Sequence, residues 1–311
     1  MSKHLIEPND LSNEEILKLI EVGKEIQVNP KNYNQLCSGK ILASLFFEPS
    51  TRTKFSFDAA MIRLGGHIIG FADANTSSAK KGESLADTIR VMNFYSDIIV
   101  MRHPKEGAPK LASEYSNVPI INAGDGGHNH PTQTLTDLLT ISKYKDTLEN
   151  HTIALVGDLK YGRTVHSLIK TLAKFNSKKF ILVSPGELKL PSFIIDYLKL
   201  NYPEIEIAEA RYLEDVIEEV DIIYMTRIQK ERFFNEGDYI KLKNSFLLNK
   251  EKMKKAKKDA IVMHPLPRVN EISYEIDDDP RCVYFDQSNQ GVFIRMALIT
   301  KMLEVGDYAS C

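Results

Sequence analysis

Cysteine is scarce in this chain of 311 residues, and neither sign of charge is in clear excess. The three cysteines, Cys37, Cys282 and Cys311, are far apart and form no C-x-x-C pair. The sequence therefore indicates neither a disulfide framework nor a structural zinc knuckle, and it suits a reducing cytosol. The 40 Lys and Arg residues against 42 Asp and Glu residues leave a net charge of −2. This near-balance argues against a nucleic-acid-binding protein.

Long apolar runs are also missing. The first ten residues lack the apolar core of a signal peptide, and no stretch approaches the ~18 uninterrupted apolar residues of a membrane-spanning helix. We therefore expect a cytoplasmic protein that does not enter a membrane. What is present is 43% hydrophobic and 26% charged residues, as in ordinary globular proteins, in a chain long enough for about two domains.

Short β-branched runs alternate with longer amphipathic segments along the chain. One such segment begins after Ser12, where Glu15 completes a capping box. The predicted strands are 41–47, 67–72, 97–101, 118–122, 152–156, 180–183, 205–208, 221–225 and 260–263. Strands that alternate with helices form parallel sheets covered on both faces. The expected fold class is therefore α/β, with two doubly wound parallel-sheet domains and a cleft between them.

A helical pattern at 131–144 separates the first four predicted strands from the last five, and we place the domain junction there. In open parallel sheets, ligands bind beyond the carboxyl ends of the strands. The residues that directly follow each strand are therefore the candidates for a functional site.

The first strand is followed by a pattern that favours an anion. A helix begins at four consecutive residues, Ser50, Thr51, Arg52 and Thr53. Backbone N–H groups and the positive end of the helix dipole attract an oxyanion, and Arg52 adds a bidentate fork. Ordinary helix capping is the alternative, because Ser and Thr are common at such positions.

The ends of the third and fourth strands carry further polar groups. Arg102 and His103 follow the third predicted strand, and His128, His130 and Gln133 lie around a Gly-rich turn that enters the next helix. His130 and Gln133 could direct an imidazole and an amide at the same anion. A zinc site at the two histidines is disfavoured, because the sequence offers no Cys or acidic cluster to complete a tetrahedral set.

The second half of the chain repeats this placement of cationic groups. The segment 157–164 nearly matches a P-loop, but Arg163 stands where that motif requires Lys, and we find no acidic Mg²⁺ ligand. Later strand ends carry Arg227, Gln229, Arg232, His264, Leu266, Pro267 and Arg268. Cationic residues that fall on one edge of two sheets indicate a cleft for a polyanionic small molecule.

Seven segments between residues 46 and 272 resemble the catalytic chains of the aspartate carbamoyltransferase family. They are FFEPSTRTKFSF, NTSSAKKGESLADTI, MRHP, GHNHPTQTL, GDLKYGRTVHSL, YMTRIQKERF and MHPLPRVNEI. Their order and spacing are more specific than any single segment. The S-T-R-T and H-P-T-Q segments alone would indicate only the wider carbamoyltransferase family.

Ornithine carbamoyltransferases are the nearest alternative. They typically carry H-C-L-P where this chain has H-P-L-P at 264–267, and they use an acidic site for the side-chain amine. Here the second-substrate site is basic, and Arg163 and Arg227 suit a dicarboxylate. An ornithine or other amino-acid carbamoyltransferase, and a non-catalytic anion- or nucleotide-binding module, remain as alternatives.

The resemblance implies the reaction of carbamoyl phosphate with L-aspartate, without a cofactor or metal, in pyrimidine biosynthesis. Catalysis would fall to Arg52, Thr53, Arg102 and His130. Carbamoyl phosphate would be bound by Ser50, Thr51, Arg52, Thr53, Ser77, Lys81, Arg102, His130, Gln133, Leu266 and Pro267. Aspartate would be bound by Lys81, Arg163, Arg227 and Gln229, and Glu48 and Arg232 would act in domain closure.

The resemblance also implies how the chain is divided and assembled. The carbamoyl phosphate-binding domain would comprise residues 1–131 and 288–311, and the aspartate-binding domain residues 132–287. Ser77 and Lys81 would reach the active site of a neighbouring subunit, which requires a homotrimer with shared sites. The sequence does not decide whether regulatory chains bind, and it predicts neither a nucleic-acid nor a membrane partner.

Overall fold

The computed structural model describes residues 3–73, 82–228, 237 and 246–309. The chain divides into two compact units. The first comprises Met1–Leu139 and Asn289–Cys311, and the second comprises Thr140–Ser288. Each unit contains one parallel sheet with helices in the connections between its strands, so the predicted α/β class with two parallel-sheet domains is confirmed.

The first unit is built on a four-stranded sheet in the order β2-β1-β3-β4. Its strands are β1 Ile41–Phe46, β2 His67–Phe71, β3 Ile98–His103 and β4 Ile120–Asp125. Its helices include α1 Asn13–Val28, α2 Thr51–Arg63, α3 Leu85–Tyr95, α4 Ala108–Tyr115 and the first part of α5 Pro131–Tyr144. The predicted capping box at the start of α1 is confirmed, since Ser12 and Glu15 bond each other's backbone N–H groups.

The second unit is built on a five-stranded sheet in the order β7-β6-β5-β8-β9. Its strands are β5 Thr152–Val156, β6 Lys179–Val183, β7 Glu206–Ala210, β8 Ile222–Met225 and β9 Ile261–Met263. Its helices include α6 Arg163–Ala173, α7 Ser192–Asn201, α8 Lys250–Lys255 and the first part of α9 Tyr284–Met302. The boundaries between the units follow Leu139 in α5 and Ser288 in α9. The domain bounds expected from the resemblance, 131/132 and 287/288, fall in the same two helices.

All nine predicted strands are present, with their ends displaced by up to three residues. The largest displacement is in β4, which ends at Asp125. A register shift in the pairing of β3 with β4 brings His103 opposite Asp125, so both strands continue through polar residues. The sequence prediction stopped earlier because the apolar run ends at Met101 in β3 and at Ile121 in β4.

Burial follows the strand order only in part. The interior strands β1, β3 and β5 are almost fully buried, as expected for parallel strands covered on both faces. Of the edge strands, β2 and β7 are largely accessible, whereas β4 and β9 are buried. Each sheet therefore forms the centre of its own apolar core. None of the helices in the described ranges is long and apolar enough to cross a membrane.

Candidate active site

The start of α2 differs from the starts of two other helices that also follow a serine. Ser12 and Ser84 cap α1 and α3, because their hydroxyls accept hydrogen bonds from the N–H groups of Glu15 at 3.2 Å and Asp87 at 3.1 Å. Among the described residues, the side chain of Ser50 makes no such bond to α2. The capping alternative is therefore wrong for Ser50. The Ser50 side chain does not occupy the first N–H groups of α2, so it leaves them available to an anion.

The residues around this helix start differ in exposure. Thr53 is buried at 9% exposure, whereas Thr51 and Arg52 are exposed and Ser50 is half-buried. The helix start thus combines the buried hydroxyl of Thr53 with the exposed guanidinium of Arg52. Such an arrangement suits a phosphate group that is partly desolvated.

Arg102 lies at the carboxyl end of β3, next to the end of β1. Parallel pairing places Phe46 beside Arg102, and the N–H of Phe47 donates to the Arg102 carbonyl at 2.9 Å. The Arg102 side chain is 11% exposed, and its Nε lies 2.9 Å from Oε2 of Glu48. Its Nη1 donates to the Ala123 carbonyl at 3.4 Å. Glu48, predicted to act in domain closure, thus pairs with Arg102 here, and its closure role stays a prediction.

His130 and Gln133 lie at the start of α5, beyond the end of β4. His130 is 4% exposed, with Nδ1 at 3.4 Å from Oγ1 of Thr132, and its carbonyl accepts the N–H of Gln133 at 3.0 Å. Gln133 is half-buried, and its Nε2 donates to Oδ1 of Asp137 at 2.8 Å, one helical turn further on. The fold therefore places both predicted side chains at one helix start.

The Gly-rich turn before α5 is organised by Asp125, which the sequence analysis did not single out. Its carboxylate is 1% exposed and accepts from the N–H groups of Gly107 and Asn129, each at 3.0 Å. His128 Nδ1 lies 3.2 Å from the same carboxylate. His128 therefore belongs to the turn. In the part of the chain that the structure describes, no three His, Cys, Asp or Glu residues form a cluster that could hold a metal ion.

In the second unit, the connection between β5 and α6 is held by another carboxylate. Asp158 is completely buried, and its Oδ1 accepts the N–H groups of Lys160 at 3.2 Å and Tyr161 at 2.9 Å. In a P-loop, backbone N–H groups of this kind bind phosphate instead. The near match to a P-loop is thus explained by a different turn, after which Arg163 is the first residue of α6.

The segment after β9 contains a buried pair of hydrogen-bonded side chains, His264 and Glu271. His264 Nδ1 accepts the N–H of Leu266 at 2.7 Å, and its Nε2 lies 2.7 Å from Oε1 of Glu271. Since Nδ1 accepts, the proton is on Nε2 and is donated to the carboxylate. Leu266 has a φ of 54°, in the left-handed region that non-glycine residues rarely adopt. The hydrogen bond to the imidazole therefore helps to hold Leu266 in an otherwise unfavourable conformation.

The environment of this pair shifts both pKa values. Burial lowers the pKa of His264, against the opposing effect of Glu271. Burial disfavours ionisation of Glu271, but its hydrogen bonds to His264 and to backbone N–H groups bring its pKa below the ordinary value. The charge of Arg227, which follows the neighbouring strand β8, adds to the lowering at His264. The pair is therefore a neutral imidazole bonded to a carboxylate, at the same end of the sheet as Arg227.

Two family models match this chain. The aspartate/ornithine carbamoyltransferase carbamoyl-P binding domain matches residues 3–143, and the aspartate/ornithine carbamoyltransferase Asp/Orn binding domain matches residues 149–302. The chain belongs to the aspartate/ornithine carbamoyltransferase family.

Individual members of the family are similar over nearly the whole chain. The aspartate carbamoyltransferase catalytic subunit of Clostridium botulinum (strain Eklund 17B / Type B) is 60% identical over 97% of this chain and 98% of its own. The catalytic subunit of M. Jannaschii aspartate transcarbamoylase has a TM-score of 0.91 and 50% identity, covering 100% of both chains. Aspartate transcarbamoylase from Trypanosoma cruzi, in complex with N-(phosphonacetyl)-L-aspartic acid, has a TM-score of 0.90 and 41% identity, covering 95% and 94%. The predicted family resemblance is confirmed.

The family's expected site residues fall into three groups. At the carboxyl end of the first sheet lie Glu48, Ser50, Thr51, Arg52, Thr53, Arg102, His130 and Gln133. At the carboxyl end of the second sheet lie Arg163, Arg227, Leu266 and Pro267. Ser77, Lys81, Gln229 and Arg232 lie outside the described residues. Sequence analysis missed Asp125, Asp158 and Glu271, whose buried carboxylates hold the turns, because no local pattern marks them.

Proposed function

We propose that this chain transfers the carbamoyl group of carbamoyl phosphate to the α-amine of L-aspartate, in pyrimidine biosynthesis. The amine nitrogen attacks the carbonyl carbon, and the bond from that carbon to the phosphate oxygen breaks. The products are N-carbamoyl-L-aspartate and phosphate, which takes the amine proton. The observation that carries the proposal is the start of α2, which Ser50 does not cap, at the end of the strand adjacent to that of Arg102.

The first unit would bind carbamoyl phosphate. The N–H and hydroxyl groups of Ser50, Thr51 and Thr53 with the fork of Arg52 would hold the phosphate. Arg102, His130 and the Thr53 hydroxyl would stabilise the carbonyl oxygen as it gains negative charge, the largest contribution that fixed donors make in such reactions. The carbamoyl NH₂ would donate to Gln133 and to the carbonyls of Leu266 and Pro267.

The second unit would bind aspartate. Arg163 begins α6 and Arg227 follows β8, so two guanidinium groups at one sheet end suit two carboxylates. Gln229 and Lys81 would complete this site, and Glu48 with Arg232 would stabilise a closed state of the domains. The T. cruzi relative was solved with a ligand named for a phosphonacetyl group joined to aspartate, which combines both chemistries. The proposed reaction needs no cofactor or metal.

The basic character of this site favours aspartate over ornithine, and turnover with each amino acid tests the choice. Purified protein with carbamoyl phosphate should form the carbamoylated product from L-aspartate and not from L-ornithine. Product from ornithine alone would assign the chain to the other branch of its family. Saturable binding of carbamoyl phosphate without turnover of either amino acid would leave only a non-catalytic anion-binding module.

The proposed assembly is a homotrimer in the cytoplasm. Three large apolar side chains on α2 and α3 support a subunit interface in the first unit, because Phe94 is 85% exposed, Phe55 64% and Ile62 63%. In this assembly Ser77 and Lys81 of one subunit would complete the site of another. Regulatory chains could bind such a trimer, as the name "catalytic subunit" of the relatives indicates for those proteins.

Mixing two inactive variants tests the shared site. Arg52→Ala and Lys81→Ala homotrimers should each be inactive, whereas a mixture that exchanges subunits should regain activity, because some sites then contain both native residues. Native mass spectrometry establishes that mixed trimers have formed. Mixed trimers without regained activity would place Lys81 outside the neighbouring site, and a monomeric mass would overturn the trimer itself.

A further inference from the structure

Helix α5 contains a buried carboxylate to which the proposed reaction assigns no role. Asp137 is completely buried and lies one helical turn after Gln133. A buried carboxylate is costly unless hydrogen bonds and an opposite charge compensate for its lost hydration. Its bond from Nε2 of Gln133, at 2.8 Å, supplies one such compensation.

The opposite charge comes from Arg295 on α9, whose Nη1 lies near the side chain of Thr136, the residue before Asp137. Its side chain is 4% exposed, and burial lowers its pKa to about 10, while the nearby charge of Asp137 opposes that shift. Arg295 therefore stays protonated at neutral pH. Its Nη1 donates to Oγ of Ser56 at 2.7 Å, and its guanidinium lies 5.0 Å from the ring centroid of Phe57. Arg295 thus connects the charge on α5 to the helix whose first residues would bind phosphate.

The glycine at position 291, one turn before Arg295, leaves space for this guanidinium. A Cβ atom at residue 291 would lie only 2.4 Å from Nη1 of Arg295 and 3.4 Å from Oγ1 of Thr136. Any other residue at this position would therefore force the guanidinium to move. The absence of a side chain at Gly291 thus leaves space for the buried guanidinium of Arg295 beside α5.

Asp137 determines which way the Gln133 amide is turned. The two orientations of an amide have almost the same shape, so only hydrogen-bond partners distinguish them. An ionised carboxylate can only accept a hydrogen bond, so the NH₂ group of Gln133 must face Asp137. The carbonyl Oε1 is then the atom that the amide presents to a ligand.

We propose that Asp137 and Arg295 are positioning residues that fix the Gln133 amide so that its Oε1 accepts a hydrogen bond from the carbamoyl NH₂. This inference rests on the proposed function. In the opposite orientation, Gln133 would direct its own NH₂ at the NH₂ of the ligand, and two donors would meet. The pair therefore gives the site its preference for a carbamoyl group over an acyl group of the same shape, such as acetyl.

Two phosphonates test this preference without turnover. Phosphonoacetamide carries an NH₂ on its carbonyl, and the matching methyl ketone, 2-oxopropylphosphonate, carries a CH₃ there. Isothermal titration calorimetry gives the ratio of their dissociation constants. We expect wild type to prefer the amide, and Gln133→Leu to lose most of that preference. Asp137→Leu/Arg295→Met should lower the ratio about tenfold, with little change in affinity for the ketone.

The double variant removes both buried charges together, so neither is left uncompensated in the core. Asp137→Asn keeps the side-chain volume but allows the Gln133 amide to turn, and it should lower the ratio about threefold. It provides the same readout if the double variant does not fold. Urea unfolding of each variant establishes that the titrated protein is folded.

The outcomes separate this inference from the proposed function. A wild type that binds the amide no more tightly than the ketone would overturn the assigned carbamoyl site, and the inference with it. A wild type with the preference, together with variants that retain it, would overturn the positioning role alone. An equal loss of affinity for both phosphonates in the variants would show a general structural role and would also overturn it.

Discussion

The connection from β1 to α2 in the first unit and the connection from β5 to α6 in the second differ in how they use backbone N–H groups. Both lead from an interior strand into a helix with an arginine in its first turn. In the second, the buried carboxylate of Asp158 accepts the N–H groups of Lys160 and Tyr161. In the first, the side chain of Ser50 leaves α2 uncapped within the described residues.

The first connection therefore contributes mainly to ligand binding, and the second mainly to the stability of the fold. A helix start without a side-chain cap retains donors for an anion, at some loss of stability for the unliganded protein. A turn held by a buried carboxylate has a fixed shape and presents the side chain that follows, here Arg163. We expect substitutions at the first connection to act mainly on ligand binding. Substitutions at the corresponding loops of the second unit should act mainly on stability.

The largest expected effect is on turnover at the first connection. Arg52→Ala should reduce kcat/KM for carbamoyl phosphate by about 10³-fold, because it removes the guanidinium that would make charge-assisted hydrogen bonds to the phosphate. The free energy of unfolding should hardly change, since Arg52 is exposed. Steady-state kinetics and urea unfolding measure the two quantities.

Arg63→Ala is the matched control, because Arg63 is an exposed arginine at the other end of the same helix. It should leave kcat/KM within about twofold of wild type, as expected for a surface position away from the ligand. Similar losses in both variants would indicate that the net charge of α2, not the fork at its start, determines activity.

The next effect is on stability, in the loop after β9. His264→Ala would leave Glu271 buried without its imidazole partner, and the N–H of Leu266 without its acceptor. Removing one partner of a buried pair costs about 3–5 kcal/mol, so we expect a loss of about 3 kcal/mol in the free energy of unfolding. Urea unfolding at pH 7.5 measures it. A loss below about 1 kcal/mol would contradict the assigned role of the pair.

Gly157→Ala tests the second connection directly. Gly157 has a φ of 113°, and a Cβ atom there would lie 2.5 Å from the Thr226 carbonyl oxygen. We expect a loss of about 2 kcal/mol in stability, from backbone strain and displacement of Thr226. Gly186→Ala is the control, since no atom lies within 4 Å of a Cβ at that position, and it should be nearly neutral. Equal thermal midpoints for the two variants would argue against a rigid turn.

The strands could be predicted from sequence, because interior parallel strands are continuous apolar runs and their signal is local. The shape of the loops between them could not. Asp125, Asp158 and Glu271 look like surface residues in the sequence, and only the folded chain buries their carboxylates against backbone N–H groups. The structural role of such a carboxylate can therefore be recognised only when the structure shows which N–H groups donate to it.

The site shows the same limit. The anion pattern at Ser50 to Thr53 is local and could be found, yet the same serine signal precedes α1 and α3, where it means capping. The link between Arg295 and Ser56 joins residues 239 positions apart, which no spacing rule in one sequence reveals. Long-range pairs of this kind decide how a predicted residue such as Gln133 is oriented.

The buried imidazole of His264 also predicts a dependence of stability on pH. Its pKa in the folded protein lies below the ordinary value of 6.5, so the unfolded chain binds more protons below that pH. Wild type should therefore lose stability as the pH falls below 6.5, by up to about 1.4 kcal/mol per pH unit for this one proton. His264→Ala should show a shallower slope between pH 6.5 and 5. Identical slopes would show that other groups cause the acid sensitivity.

The smallest effects come from three serine variants that compare the helix starts with one another. Ser12→Ala and Ser84→Ala should each lower the free energy of unfolding by about 1 kcal/mol, because each removes a capping bond that the structure contains. Ser50→Ala should lower it by less than about 0.3 kcal/mol, since no capping bond from this side chain to α2 exists among the described residues.

The effects of the three variants on phosphonoacetamide binding should have the opposite order to their effects on stability. Ser50→Ala removes one hydroxyl donor from the proposed phosphate site and should weaken phosphonoacetamide binding about fivefold to tenfold. Ser12→Ala and Ser84→Ala leave that site intact and should bind it as wild type does. Urea unfolding and calorimetry on the same three proteins give both orders. If Ser50→Ala lost stability as the other two variants do and bound the phosphonate normally, its serine would be a cap, and the contrast between the connections would disappear.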